Sequence, residues 1–227
     1  MVKRLAAVIA AIMWASSAAS QDKVTVAIEL VLALDSSASV DRAEFQLQLD
    51  GLAAAFRDPD VLGAVGRLQP LGAAVAVIQW GGPGETLTVL PFTHLENTRD
   101  AKAFGFRIGL IRRWMRASST SIATAIDDSA ALIISNGFDG QRLVIDVSGD
   151  GQDNGSADLD AARRRARMAG ITVNGLAIEA EDKTLHDYYR HRVIVGADSF
   201  VEPARGFEDF ARAIKEKLLR ELRPLES

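Results

Sequence analysis

The chain's pattern predicts an α/β fold, doubly wound around a mostly parallel sheet with one antiparallel edge hairpin and helices on both faces. Three observations carry this prediction. From Val24 onward, segments rich in β-branched residues alternate with segments of helical apolar period, the arrangement of βαβ units around a parallel sheet. The run LVLALD, residues 30–35, is almost continuously apolar up to Asp35, as befits a buried strand. Trp80-Gly81-Gly82-Pro83-Gly84 is turn-rich and too short for a helical crossover, so it predicts a hairpin joining the second and third strands.

Before these elements, Lys3 and Arg4 precede the apolar run Leu5–Trp14 and the small residues Ala15–Ser20. This is the three-part layout of a secretory signal peptide, residues 1–20, with cleavage expected after Ala19 or Ser20. The run is shorter than the roughly 18–20 apolar residues of a membrane-spanning helix. The expectation is an exported protein, periplasmic or secreted, with a domain over residues 22–222, a polar tail over 223–227, and no membrane span after cleavage.

The first strand is expected over Val24–Leu34. Asp41, with Glu44 three residues on, is a capping-box start, and Phe45, Leu49, Leu52 and Phe56 form the stripe of the helix that follows. Strands are expected over Ala73–Trp80 and Thr86–Pro91, with Trp80 packed on the hairpin. Ile122, Ala125, Ile126, Ser129, Ala130, Ile133 and Ile134 give a second helix, closed by Asn136-Gly137. After a strand over Arg142–Ser148, residues Ser156–Gly170 predict a helix with acids first and arginines last, which suits the helix dipole. Its arginine run reads as a solvated face. Strands over Ile171–Ile178 and Ser199–Glu202 follow, and then a helix with the stripe Phe207, Phe210, Ile214, Leu218.

With 227 residues, 48% hydrophobic and 25% charged, the chain fits one generous domain or two small ones. Its formal net charge is −4, and loss of Lys3 and Arg4 with the leader makes it more acidic. Without a basic face it is a poor candidate for binding nucleic acid. There is no cysteine, which excludes disulfides and thiolate metal sites.

Asp35, Ser37 and Ser39 stand at every second position, so on extended backbone they point the same way. A second polar loop, Ala117–Ser121, places Thr120 at a helix entrance, and a third, Ser148–Gly151, places Asp150 after a buried strand. In an open parallel sheet, ligands bind beyond the carboxyl ends of the strands. All five side chains are hard oxygen donors, which favours Mg²⁺, Mn²⁺ or Ca²⁺ over zinc or copper. The set is poor in direct anions, so a bound ion stays electrophilic and can accept a carboxylate from another molecule.

In order along the chain, LVLALDSSASVDRAEF, AVAVIQWGG, STSIATAID, LVIDVSGDGQDNG and AGITVNGLAI resemble the von Willebrand factor type A superfamily. Within it they resemble a bacterial exported subgroup of unknown function (DUF1194-like). The resemblance implies a metal-ion-dependent adhesion site. Ser37 and Ser39 would bind Mg²⁺ directly, Thr120 would do so in the ligand-bound state, and Asp35 and Asp150 would act largely through water. A partner protein would then supply an Asp or Glu carboxylate. The chain departs from the pattern at Ala38, where glycine is frequent, at Ser118-Ser119, where glycines are usual, and at Gly149, where Thr or Ser is usual.

Other chemistries fit less well. A haloacid-dehalogenase-type phosphatase needs a second Asp two residues after its nucleophile, where this chain has Ser37, and a lysine between its middle and last motifs, whereas no lysine occurs here between Lys102 and Lys183. Read as an EF-hand, DGQDNG would put Ala161 at the position of the bidentate Glu. There is no Gly-x-Ser-x-Gly elbow, and His94, His186 and His191 show no metal spacing. The expected function is an exported, cation-dependent protein-binding module without enzymatic activity. The alternative is a metal-free structural or envelope-assembly protein of the same fold.

Overall fold

The structure is a computed structural model and describes residues 22–114 and 119–224. The expected leader, Ser118 and the end of the expected tail lie outside the described residues. In place of one strand over Val24–Leu34 there are two, β1 (Val24–Val26) and β2 (Ile28–Asp35). The break falls at Ala27, whose N–H bonds to Gly72 O, so the ladder changes partner there. Two helices follow, α1 (Arg42–Ala55) and α2 (Pro59–Arg67). Next come β3 (Ala73–Trp80), β4 (Thr86–Leu95), α3 (Thr98–Ile108) and α4 (Ile122–Ile134). The rest of the chain forms β5 (Phe138–Gly140), β6 (Leu143–Gly149), α5 (Leu159–Met168), β7 (Ile171–Ile178), α6 (Leu185–Arg192), β8 (Val201–Ala204) and α7 (Phe210–Glu221), the last entered through a 3₁₀ turn at Phe207–Asp209.

The main sheet runs β4-β3-β2-β6-β7-β8, and β1 pairs with β5 in a separate parallel ribbon. Every pairing in the main sheet is parallel except β3 with β4. The expected edge hairpin is present, with β4 running on to Leu95. β2 is buried along its whole length. Its Leu30, Leu32 and Leu34 pack with Phe45, Phe56 and Phe210 on the face covered by α1, α2, α3 and α7. Its Val31 and Ala33 pack with Ile122, Ile126 and Ile145 on the face covered by α4, α5 and α6. Each such leucine contributes about 1.5–3 kcal/mol on burial, which fixes the register of the central strand and the position of its end.

The chain winds outward in one direction from β2 through β3 and in the other from β6 through β7. Beyond the carboxyl ends of β2 and β6, loops therefore diverge and leave a crevice, as doubly wound sheets do at their switch point. The Asp35 loop and the Asp150 loop are the two that flank it. On the far helical face the arginines of α5 are used for surface pairing: Arg165 grips Asp127 at 2.6 and 2.9 Å, and Arg163 reaches Asp160 at 3.2 Å and Ile194 O at 3.0 Å.

Candidate metal centre

Three loops build the crevice, each held by its own hydrogen bonds. In the first, Asp35 Oδ1 accepts from Ser37 N at 2.7 Å, turning the chain sharply as β2 ends. Ser36 is tied to Trp80 O by its N–H (2.9 Å) and its hydroxyl (3.0 Å), and Gln48 Nε2 donates to Asp35 O at 3.0 Å. Arg113 Nη2 donates to Ser36 O (3.0 Å) and Ser37 O (2.9 Å). Beyond the turn, Asp41 closes the loop as the N-cap of α1, with the reciprocal Glu44 contact of a capping box.

The second loop is pinned to the third. Asn154 Oδ1 accepts from Thr120 N at 2.8 Å, and Asn154 N donates to Thr120 O at 2.9 Å. Asp153 Oδ1 accepts from Ala123 N at 3.3 Å, at the entrance to α4. Ser121 caps α4 and donates its N–H to Gly81 O at 2.7 Å. Gly155 packs against Ser121, where a Cβ would lie 2.8 Å from the Ser121 side chain.

These restraints bring the five residues singled out from sequence to one place. Ser39, Thr120 and Asp150 line a single crevice with Ala38, Ser119 and Glu181 among its other walls. Ser39 Oγ donates to Asp150 Oδ1 at 2.8 Å and lies 3.2 Å from Ser37 Oγ. Asp35 lies beneath, fully buried, and its Oδ2 has no hydrogen-bond partner. A second groove runs along α1 and residues 109–114. It contains Phe45, Leu110 and Trp114, and Arg113 links it to the first loop.

Burial, and next the charge of Asp150, push the Asp35 carboxyl up to about 7, against the pull of the hydrogen bonds from Ser37. Asp150 is also raised, chiefly by burial and against its hydrogen bond from Ser39. Two carboxyls whose ionisation is opposed by burial, that of Asp35 further by the charge of Asp150 and that of Asp150 by the charge of Glu181, make a place where a cation is favourable. Among the described residues no cluster of three or more acids and histidines could hold a metal. A metal here would therefore rest on hydroxyls, waters and these two acids. That hard, oxygen-only set fits Mg²⁺ or Mn²⁺.

Sequence reasoning missed three residues that shape the centre. Arg113 left no local signal. Gln79 is buried in β3, accepts from Trp114 N at 3.0 Å and donates to Arg112 O at 2.6 Å, so it delivers Arg113 to its carbonyls. Asn154 lay within DGQDNG, whose polar density marked a structured loop. The departure at Gly149 also has a physical account: a Cβ there would lie 2.5 Å from Tyr189 Oη, 2.9 Å from Asp35 Oδ2 and 3.2 Å from Trp80 Cζ2. Trp80 itself is fully buried, in accord with its expected packing role.

A mostly parallel sheet of this order, wound on both faces by helices, is the fold of von Willebrand factor type A domains. Residues 25–226 match the family described as "Protein of unknown function (DUF1194)", and the chain belongs to it. Its fold is similar to that of proximal thread matrix protein 1 from the mussel byssus, in a structure with a zinc-occupied MIDAS motif: TM-score 0.63, 16% identity, covering 88% of this chain and 48% of that one. The chain thus spans about half the length of the mussel protein. It is also similar to BatB from Bacteroides thetaiotaomicron (TM-score 0.58, 18% identity, 86% of this chain and 98% of that one). A third likeness is to the vWF domain of the type V pili tip protein Mfa5 from Porphyromonas gingivalis (TM-score 0.58, 10% identity, 90% and 99%). A comparison with curated proteins gives no match.

Proposed function

We propose that the chain is an exported protein-binding module, and not an enzyme, which captures an Asp or Glu carboxylate of a partner protein through a divalent cation at the crevice. The observation that carries this reading is the gathering of Ser39, Thr120 and Asp150 at one crevice, with the buried Ser37 against Ser39, over a buried Asp35 whose Oδ2 has no hydrogen-bond partner. Ser37, Ser39 and Thr120 would hold the ion with their hydroxyls, and Asp35 and Asp150 would orient its waters. When bound, Mg²⁺ or Mn²⁺ supplies a Lewis-acidic position for the incoming carboxylate. The binding domain is assigned to residues 22–222, beyond a leader that directs export. The zinc-occupied MIDAS motif of the mussel protein supports divalent-metal binding on this fold.

A metal-free structural role is favoured by one observation: Ser39 already donates to Asp150 and touches Ser37, so these hydroxyls have partners without an ion. A titration of wild type and Asp35→Ala with Mn²⁺ and Mg²⁺, followed by calorimetry and thermal melting, decides between the two. Saturating ion at about a hundred times its Kd stabilises a single-site protein by about 2.7 kcal/mol. Binding heat and an upward melting shift are expected in wild type and absent from Asp35→Ala. Identical behaviour of the two proteins overturns the cation-dependent reading.

A further inference from the structure

Beneath the crevice lies a group of buried polar atoms that the candidate centre does not use. Tyr189 of α6 is fully buried, and its hydroxyl has no hydrogen-bond partner. Its ring lies across the face of two neighbouring strands, in a trough left by two glycines. A Cβ on Gly175 of β7 would lie 2.6 Å from Tyr189 Cδ1, and one on Gly149 of β6 would lie 2.5 Å from Tyr189 Oη. The Gly149 position is also 2.9 Å from Asp35 Oδ2, so Oη and Oδ2 are separated by no more than the sum of those two distances. That is within the span of one bridging water.

The chemistry of the unpaired atoms is complementary. Asp35 Oδ2 can only accept when ionised, a phenol can donate, and the indole N–H of Trp80, also buried and unpartnered, can only donate. Trp80 Cζ2, two bonds from that nitrogen, is 3.2 Å from the same Gly149 position. Buried polar groups left unpaired are costly, so donors facing one bare acceptor across such a gap are expected to join it. The side chains that hold Tyr189 are on strands and a helix, and the geometry is fixed by the core.

We propose that Tyr189 is the positioning residue of the centre: its hydroxyl hydrogen-bonds to Asp35 Oδ2 through one bridging water and holds that carboxylate in the orientation its crevice role requires. This rests on the reading of the crevice as a cation site only for its consequence, since the link between Tyr189 and Asp35 exists without metal. Gly149 and Gly175 are then small because the tyrosine lies directly over both of them. The assignment makes α6 part of the centre, although none of its residues lines the crevice.

The test uses the whole protein and two readouts. The chain has two tyrosines, Tyr188 and Tyr189, so ¹³Cζ-tyrosine labelling gives two signals, assigned with Tyr188→Phe. In metal-free protein the Tyr189 Cζ resonance is expected at a hydrogen-bonded position and should move in Asp35→Asn. Tyr189→Phe, which removes one oxygen, is expected to weaken Mn²⁺ binding about ten-fold while the metal-free melting temperature stays close to wild type. A Tyr189 resonance indifferent to Asp35→Asn overturns the proposal, as does wild-type Mn²⁺ affinity in Tyr189→Phe. Should wild type bind no Mn²⁺ while the resonance still responds, the cation reading falls and the Tyr189–Asp35 link stands. If Tyr189→Phe does not fold, the resonance of the Asp35→Asn protein decides alone.

Discussion

Gly149 shows how much one absent side chain can decide. Its neighbours are not flexible chain ends: Tyr189 is wedged in the core, and Asp35 and Trp80 are fully buried. Adding a methyl forces one of them to move, and overpacking of this kind costs about 1–3 kcal/mol. Gly149→Ala is therefore expected to lower the unfolding free energy by that amount in chemical denaturation. Tyr189→Phe in the same chain should recover part of the loss, because the atom at 2.5 Å is the hydroxyl oxygen. At this scale the sequence was informative about polar side chains gathered in one loop and silent about those that reach the loop from elsewhere in the chain. Asp35, Ser37 and Ser39 announce themselves by their spacing, although only Asp35 is on the strand and the two serines lie in the turn that follows, not on the expected extended backbone. Tyr189 sits in a separate helix, far along the chain, and nothing local ties it to Asp35.

Among the elements, the long and strongly periodic ones were legible. The capping box at Asp41, the stripe of α4 and the buried strands all appear where local pattern and tertiary burial agree. The expectation left out α2, α3 and α6, which are short and carry many charges or glycines. For α2 a signal was present: Asp58 as N-cap with Pro59 in the first turn is a helix start. The helix expected over Ser156–Gly170 begins later, at Leu159, because Asp158 caps it. The last strand is displaced from Ser199–Glu202 to Val201–Ala204.

One element interaction makes a pH prediction. Asp146, in mid-β6, is buried against α7, 3.1 Å from Lys217 Nζ, which also donates to Glu221 at 2.7 Å; Asn174 of β7 donates to Glu221 at 2.9 Å. Burial first, and then the Glu221 charge, push the Asp146 carboxyl up to about 7 against the attraction of Lys217. The folded state therefore binds more protons than the unfolded one between about pH 4 and about pH 7. This group's contribution to stability is present at the acid end and is lost as pH rises through that window. Asp146→Asn should flatten the profile, reducing the fall in unfolding free energy across the window by roughly a few kcal/mol. A slope equal to that of wild type would mean that Asp146 stays ionised in the folded protein.

For the molecule as a whole, the sheet order turns a linear sequence into one crevice. β2 and β6 are adjacent in space, yet α1 through α4 and two strands of the main sheet lie between them in the chain. The donors around the crevice come from residues 35–39, 120 and 150, so no short stretch holds more than part of the set. A piece of chain that has formed its helices but not yet brought β6 beside β2 offers only scattered hydroxyls. On the proposed cation-binding reading, capturing an ion and completing the sheet would be a single event. In refolding from denaturant, uptake of Mn²⁺ is expected to lag behind the rise in helical circular dichroism and to coincide with the last phase that protects β6 amides from hydrogen exchange. Metal uptake with the earliest helical phase would contradict that order. If the crevice grips a partner as proposed, that grip would depend on this last closure, and the binding face itself would report that the chain has finished folding.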